Sequence, residues 1–205
     1  MFPLRPSFIL SAIALSAVWS VSFSAFAQPS ARQLIPDDAK WKRLESGQTV
    51  MLKLENSGSD SSVPSDTAAI LINAEPTKVW NVIDDKEAAA DYIDGMLKSE
   101  IIGQDGSHEL IEQTMKIGFK KLTFVVRHIS HAPGVVNFQR ESGDLKLMDG
   151  YWKFLPVDNG RRCLVIYRLR LDPGLGIPKG IVKASLKTTL PNVLHSLKEE
   201  VARRG

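Results

Sequence analysis

The sequence is short of the residues that usually announce chemistry. It holds one cysteine, Cys163, so an internal disulfide is excluded and stability must come from burial. It holds four histidines, His108, His128, His131 and His195. His128 and His131 stand three apart at the end of an expected strand, a poor spacing for a metal pair. Cys-x-x-Cys, His-Glu-x-x-His and acidic calcium loops are all missing, so no metal site is expected. Gly-x-Ser-x-Gly and Gly-rich phosphate loops are missing too, and no cofactor is expected. Charge of one sign is not in excess, with 26 Lys and Arg against 23 Asp and Glu. Without a basic stripe interleaved with aromatics, a nucleic-acid partner is excluded.

Long apolar runs are missing as well, except at the start. There Arg5 precedes an apolar stretch from about Phe8 to Phe23, and Ala25-Phe26-Ala27 offers small residues where a signal peptidase cuts. The stretch is shorter than the ~20 residues that span a bilayer, and Ser11, Ser16 and Ser20 interrupt it. Residues 1–27 are therefore expected to be a cleavable signal peptide, with a mature protein from Gln28 in the periplasm or secreted. Arg5 is the leader's only charge, which leaves a mature balance of 25 basic to 23 acidic residues. The mature chain is expected to be soluble or at most peripheral.

What is present is alternation followed by a helical stripe. Residues 28–66 read as a polar extension, with Trp41 and Leu44 as docking residues, a strand over 48–54 and a loop over 56–66. A more apolar strand over 67–74, covered on both faces, leads to Pro76, which opens a short helix carrying Val79, Trp80 and Ile83. A second short helix is expected over 88–93. Six strands follow, over 96–102, 108–117, 121–129, 135–140, 145–156 and 162–171, with turn residues between them. Residues 178–203 form a long helix with Ile181, Val182, Leu186, Leu190, Leu194, Leu197 and Val201 in one stripe, kinked at Pro191. The order reads as an α+β domain, an antiparallel sheet with helices on one face.

Alternation assigns the faces. Leu122, Phe124, Val126 and His128 share one face; so do Ile111, Gln113, Met115 and Ile117, and so do Cys163, Val165, Tyr167, Leu169 and Leu171. These faces point at the long helix. Trp152 and Phe154 fall out of phase with Leu145 and Leu147, which calls for a bulge at Asp149-Gly150. The inward set is apolar apart from Gln113, His128, Tyr167, Ser99 and Arg140, a make-up shared by ligand pockets and by ordinary cores.

Three stretches resemble the START-like (SRPBCC) superfamily, in its polyketide cyclase / coenzyme Q-binding-like branch. They are AAILINAEPTKVWNVIDD (68–85), GYWKFLPVDNGRRCLVIYRLRLDPG (150–174) and IPKGIVKASLKTTLPNVLHSLKEEV (177–201). The resemblance implies a helix-grip fold, a curved antiparallel sheet wrapped around the long C-terminal helix with two short helices towards its N-terminal side. It implies a hydrophobic cavity over residues 67–205, and carries over no catalytic residue. The expected lining is Gln113, Met115, Phe124, Val126, His128, Trp152, Phe154, Tyr167, Leu186 and Leu190. The expected function is carriage or sequestration of a lipid or isoprenoid-like molecule, with transient contact to a membrane surface. Two alternatives stand beside it. One is a cyclase- or hydrolase-type enzyme using His128 and Tyr167 as acid and base, with Asp149 beside them; the other is an envelope interaction module with a solid interior.

Overall fold

The structure is a computed structural model and describes residues 30–53, 62–117, 120–174 and 176–205. The expected leader and most of the loop over 56–66 lie outside the described residues. The elements are α1 (Ala31–Leu34), α2 (Asp38–Glu45), β1 (Val50–Leu52), β2 (Ser65–Ile72), α3 (Pro76–Asp84), α4 (Ala89–Tyr92) and β3 (Met96–Asp105). They continue with β4 (His108–Ile117), β5 (Lys120–His131), β6 (Val135–Gly143), β7 (Leu147–Val157), β8 (Arg162–Asp172) and α5 (Lys179–Arg204). The strands form one eight-stranded antiparallel sheet in the order β1-β2-β8-β7-β6-β5-β4-β3. This is the helix-grip arrangement, with α5 lying across the inner face.

Two apolar clusters fix it. The inner one joins Ala68, Ile70 and Ile72 of β2 and Val165, Tyr167 and Leu169 of β8 to the stripe Val182, Leu186, Leu190, Leu194, Leu197 and Val201 of α5. The outer one covers Ala69 and Leu71 of β2, Leu155 of β7 and Leu164 and Ile166 of β8 with Ile35, Leu44, Val50 and Leu52. Residues 67–72 are therefore buried at every position, because both faces of β2 are covered. Towards β3 the outer face changes character. Lys98 pairs with Glu112 at 3.0 Å, Arg127 with Glu141 at 3.0 Å, and the Thr114 and Thr123 hydroxyls meet at 3.0 Å. A charged lattice of this kind keeps an open sheet face in water.

Two expectations need correction. The segment before β1 is helical: Ser30 and Gln33 close a capping box on α1, and Asp37 caps α2 by accepting from the Lys40 amide at 3.1 Å. Both caps are visible in the sequence, and the polar composition hid them. Nor is there a bulge at Asp149-Gly150. The β7–β8 register is unbroken from Leu147↔Asp172 to Val157↔Arg162, and β6–β7 is unbroken through Phe138↔Gly150. The phase change arises because Leu145 lies in the connection before β7, where it enters the core without belonging to the strand. The real irregularities fall between Val125 and Val126, and at Met96/Lys98 and Ile101/Gly103. Each bends its strand, which curves the β3–β6 side of the sheet.

Pro191 lies inside α5, and the helix continues past it to Arg204. Beyond it Lys198 Nζ donates to the Gly47 carbonyl at 3.1 Å and Arg204 Nη1 to Asp85 Oδ2 at 2.8 Å. Glu200, buried on the same turn, is held well below the usual carboxylate range by hydrogen bonds from Arg203 and then Arg204, against the opposing effect of burial. No described helix is long and apolar enough to cross a membrane.

Candidate functional site: a cavity between the sheet and the long helix

On the inner face α5 packs on β2 and β8 and the short α4 on β3, and the strands between stand clear of the long helix. A cavity of about 400 Å³ occupies that space. Phe124, Trp152 and Leu186, where a packed interior would have met, border it instead. Its walls are mainly apolar, with Met148, Leu145, Leu169 and Ile83 among them. Exposed lining residues mark the mouth: Asp94 after α4, Lys116 at the end of β4, and Ser185, Thr189 and Asn192 on α5.

A band of rings crosses four neighbouring strands. Trp152 of β7 stacks on Tyr167 of β8 at 3.9 Å and 11°. Phe138 of β6 reaches Tyr167 at 6.1 Å, and His128 of β5 lies 6.0 Å from Phe138. Phe138 sits opposite Gly150, where a Cβ atom would come within 2.6 Å of its Cζ and 2.0 Å of the Arg168 carbonyl oxygen. Glycine there lets the ring lie flat against β7, and this part of the cavity wall depends on it.

The polar groups are few and inward. Gln113 Nε2 donates to Ser99 Oγ at 3.4 Å. The Tyr167 hydroxyl has no hydrogen bond to a described residue, and burial pushes the phenol up. Lys86, between α3 and α4, is buried and donates to the Asp84 carbonyl at 3.1 Å and to Asp84 Oδ1 at 2.8 Å. Glu109 Oε2, on the residue paired with His128 across β4 and β5, lies 3.5 Å from the same ammonium. His128 is lowered to about 3, chiefly by burial and then by the Lys86 charge. It is therefore a neutral ring at ordinary pH, its buried Nδ1 without a hydrogen-bond partner among the described residues, and a poor proton acceptor. Cys163, buried in the core, is pushed up to about 12 by burial and is chemically quiet.

Seven of the ten expected residues line the cavity: Gln113, Met115, Phe124, His128, Trp152, Tyr167 and Leu186. Val126, Phe154 and Leu190 do not; they lie in the packed core beside it, Phe154 edge-on to Trp80 at 5.5 Å. Asp149 does not join His128 and Tyr167. It points to the opposite face and pairs with Arg170 at 3.4 Å. Arg140 also stays out, bonding the Gly143 carbonyl at 2.9 Å, whereas Ser99 is buried beneath Gln113. Sequence reasoning missed Lys86, Tyr92, Phe138 and Met148, and the small polar row Ser185, Thr189 and Asn192. That row has helical spacing beside the apolar stripe, a signal that was readable. Lys86 sits in a connection where no periodicity operates. Among the described residues, no three His, Cys, Asp or Glu side chains gather as metal ligands.

The lowered His128 predicts acid sensitivity. Below about 6.5 the unfolded chain takes up a proton on this ring, and the folded chain does not until about pH 3. Stability contributed by the neutral ring is therefore full above 6.5 and falls with pH in that window, by up to roughly 1.4 kcal/mol per unit. Urea melts at pH 7 and pH 4 should show a loss of several kcal/mol. In His128→Gln a part of that loss on the order of 3 kcal/mol should vanish. An unchanged pH dependence in the variant would contradict the burial of a neutral ring.

A model of the family described as polyketide cyclase / dehydrase and lipid transport matches residues 72–198. No curated protein matches. Among solved structures, a START superfamily protein from Mycobacterium smegmatis superposes with a TM-score of 0.63 at 15% identity, covering 69% of this chain and 99% of its own. A STAR-related lipid transfer protein from Xanthomonas axonopodis gives 0.60 at 14% identity, over 75% of this chain and 98% of its own. An aromatase/cyclase from Streptomyces sp. R1128 gives 0.62 at 16% identity, over 69% and 95%. At these identities the likeness is one of fold. The family match begins at the last residue of β2 and ends within α5, so it spans the cavity and excludes α1, α2 and β1. This chain belongs to the polyketide cyclase / dehydrase and lipid transport family.

Proposed function

We propose that the protein is exported and holds one apolar small molecule, lipid or isoprenoid-like, between sheet and helix, as a carrier or a sequestering protein. The observation that carries this is the cavity, about 400 Å³ with mainly apolar walls and a few inward polar groups. Ligand sites have that size and make-up, at ~300–1,000 Å³. Burial of apolar ligand surface at ~25 cal/mol per Å² supplies the affinity, and Gln113, His128 and Tyr167 orient the polar end. A lipid-transfer neighbour and a family description that includes lipid transport support the same reading. The leader pattern over residues 1–27 supports export, and loading from a membrane surface would suit an apolar cargo. The acid–base alternative has little to work with, because His128 is held neutral to about pH 3 and Asp149 lies on the other face. The solid interior that a ligand-free module would need is not there.

Native mass spectrometry of protein recovered from its own envelope is the test. The expected species is a chain starting at Gln28 with one apolar molecule released on denaturation. Thr189→Trp, a ring placed at the exposed mouth, should cut occupancy by roughly 10-fold, about 1.4 kcal/mol. A bare polypeptide mass would overturn the carrier reading, and an intact leader would overturn export.

A further inference from the structure

We infer that the cavity selects a ligand whose buried end is a neutral hydroxyl or carbonyl, and discriminates against a carboxylate or phosphate. The inference rests on reading the cavity as a ligand site, and it comes from the charges around it. Among the described residues, the one cation lining its interior is Lys86, whose side chain is 2% exposed. Its ammonium donates to the Asp84 carbonyl and the Asp84 carboxylate, and Glu109 Oε2 stands 3.5 Å away as an ion-pair partner without a hydrogen bond of its own. Two carboxylates stand against one ammonium, and although solvent partly screens the half-exposed Asp84, Glu109 is largely buried, so that corner has an excess of negative charge. A ligand carboxylate arriving there would be a third anion around a single cation that two carboxylates already flank, stripped of its water. Lys116 and Asp94, of opposite sign, face the mouth and are exposed, where solvent and salt screen them.

The uncharged groups, by contrast, have capacity to spare. Gln113 uses an N–H on Ser99, which leaves its carbonyl oxygen to accept from a ligand hydroxyl. The Tyr167 hydroxyl is free to donate to a ligand oxygen. His128 stays uncharged and offers one donor and one acceptor. Buried polar groups of this kind reward a partner that completes them and reject one that leaves them unpaired.

The test is displacement of N-phenyl-1-naphthylamine, a neutral probe, from the delipidated protein at pH 8 by 1-dodecanol and by dodecanoate, which share a chain length and differ in the head. The alcohol should bind at least about 10-fold more tightly. Glu109→Gln and Asp84→Asn, each near-isosteric and each verified by its melting curve, remove one competing anion apiece. Each should narrow the gap by about 3-fold or more by strengthening dodecanoate, with the alcohol unchanged. Equal or tighter dodecanoate binding to the unaltered protein overturns the inference and leaves the cavity reading standing. A gap that persists undiminished in both variants overturns it as well, because the charges would not be its cause. Failure of the probe and both competitors to bind would remove the cavity reading itself.

Discussion

Gly150→Ala should destabilise the protein by about 3 kcal/mol or more and lower its Tm by roughly 6–12 °C, although it adds a single methyl group. The reason is space and not backbone conformation. The new Cβ would stand 2.0 Å from the Arg168 carbonyl oxygen and 2.6 Å from Phe138 Cζ. The ring can swing, but the carbonyl belongs to β8, which is paired with β7 along its whole length. Relief therefore requires the two central strands to separate or β7 to twist. The same change pushes Phe138 off the band it shares with Tyr167 and His128, so binding of an apolar probe should fall with stability. Thermal unfolding and probe titration together check this. A variant within 1 kcal/mol of the parent would mean that the close approach is readily relieved.

Leu44→Ala should cost about 2–4 kcal/mol, a Tm loss of roughly 4–16 °C, at a site far from the cavity. Leu44 is 1% exposed and packs on the outer face of the sheet with Ile35 and Val50 over Leu164 and Ile166. Truncation leaves a hole that the sheet behind it cannot collapse to fill, because β2 and β8 are held from the other side by α5. Ile102→Ala is the matched control: at 51% exposure on β3 it should stay within about 0.5 kcal/mol of the parent. Urea melts of the pair decide the point. If Leu44→Ala behaved like Ile102→Ala, the N-terminal helices would be ornaments on a domain complete without them.

The fold was legible where periodicity is strong and neighbours are local. Leu122, Phe124, Val126 and His128 alternate with a set that includes Lys121, Thr123 and Arg127, so their shared face could be read directly, and the stripe of α5 could be read the same way. Legibility failed where a residue enters the core from outside a regular element. Leu145 does so from a connection, and mimicked a bulge that the β7 register does not contain. Lys86 does so between two short helices, and its partners Asp84 and Glu109 come from different parts of the chain. Which members of the inward face border the cavity was only partly legible. Phe124 and His128 border the void, yet Val126, between them on the same strand face, does not, its side chain being the shortest of the three. Alternation reports the side of a strand and is silent about how far each side chain reaches. It was equally silent about α1 and α2, whose short lengths hold too few apolar positions for a period to show.

Pro191 gives α5 the mechanics of a clamped beam. The proline has no amide hydrogen to offer the turn before it, so the helix is softest there. Among the described residues, the polar ties from α5 to Gly47 and Asp85 both follow that point. The portion carrying Ser185, Leu186 and Thr189 precedes it and rests on apolar contact. Apolar contact is non-directional and tolerates sliding, whereas a hydrogen bond or ion pair defines a position. Load applied from within the cavity therefore meets a stiff, riveted half and a compliant half, and the roof yields first on the side where its mouth lies.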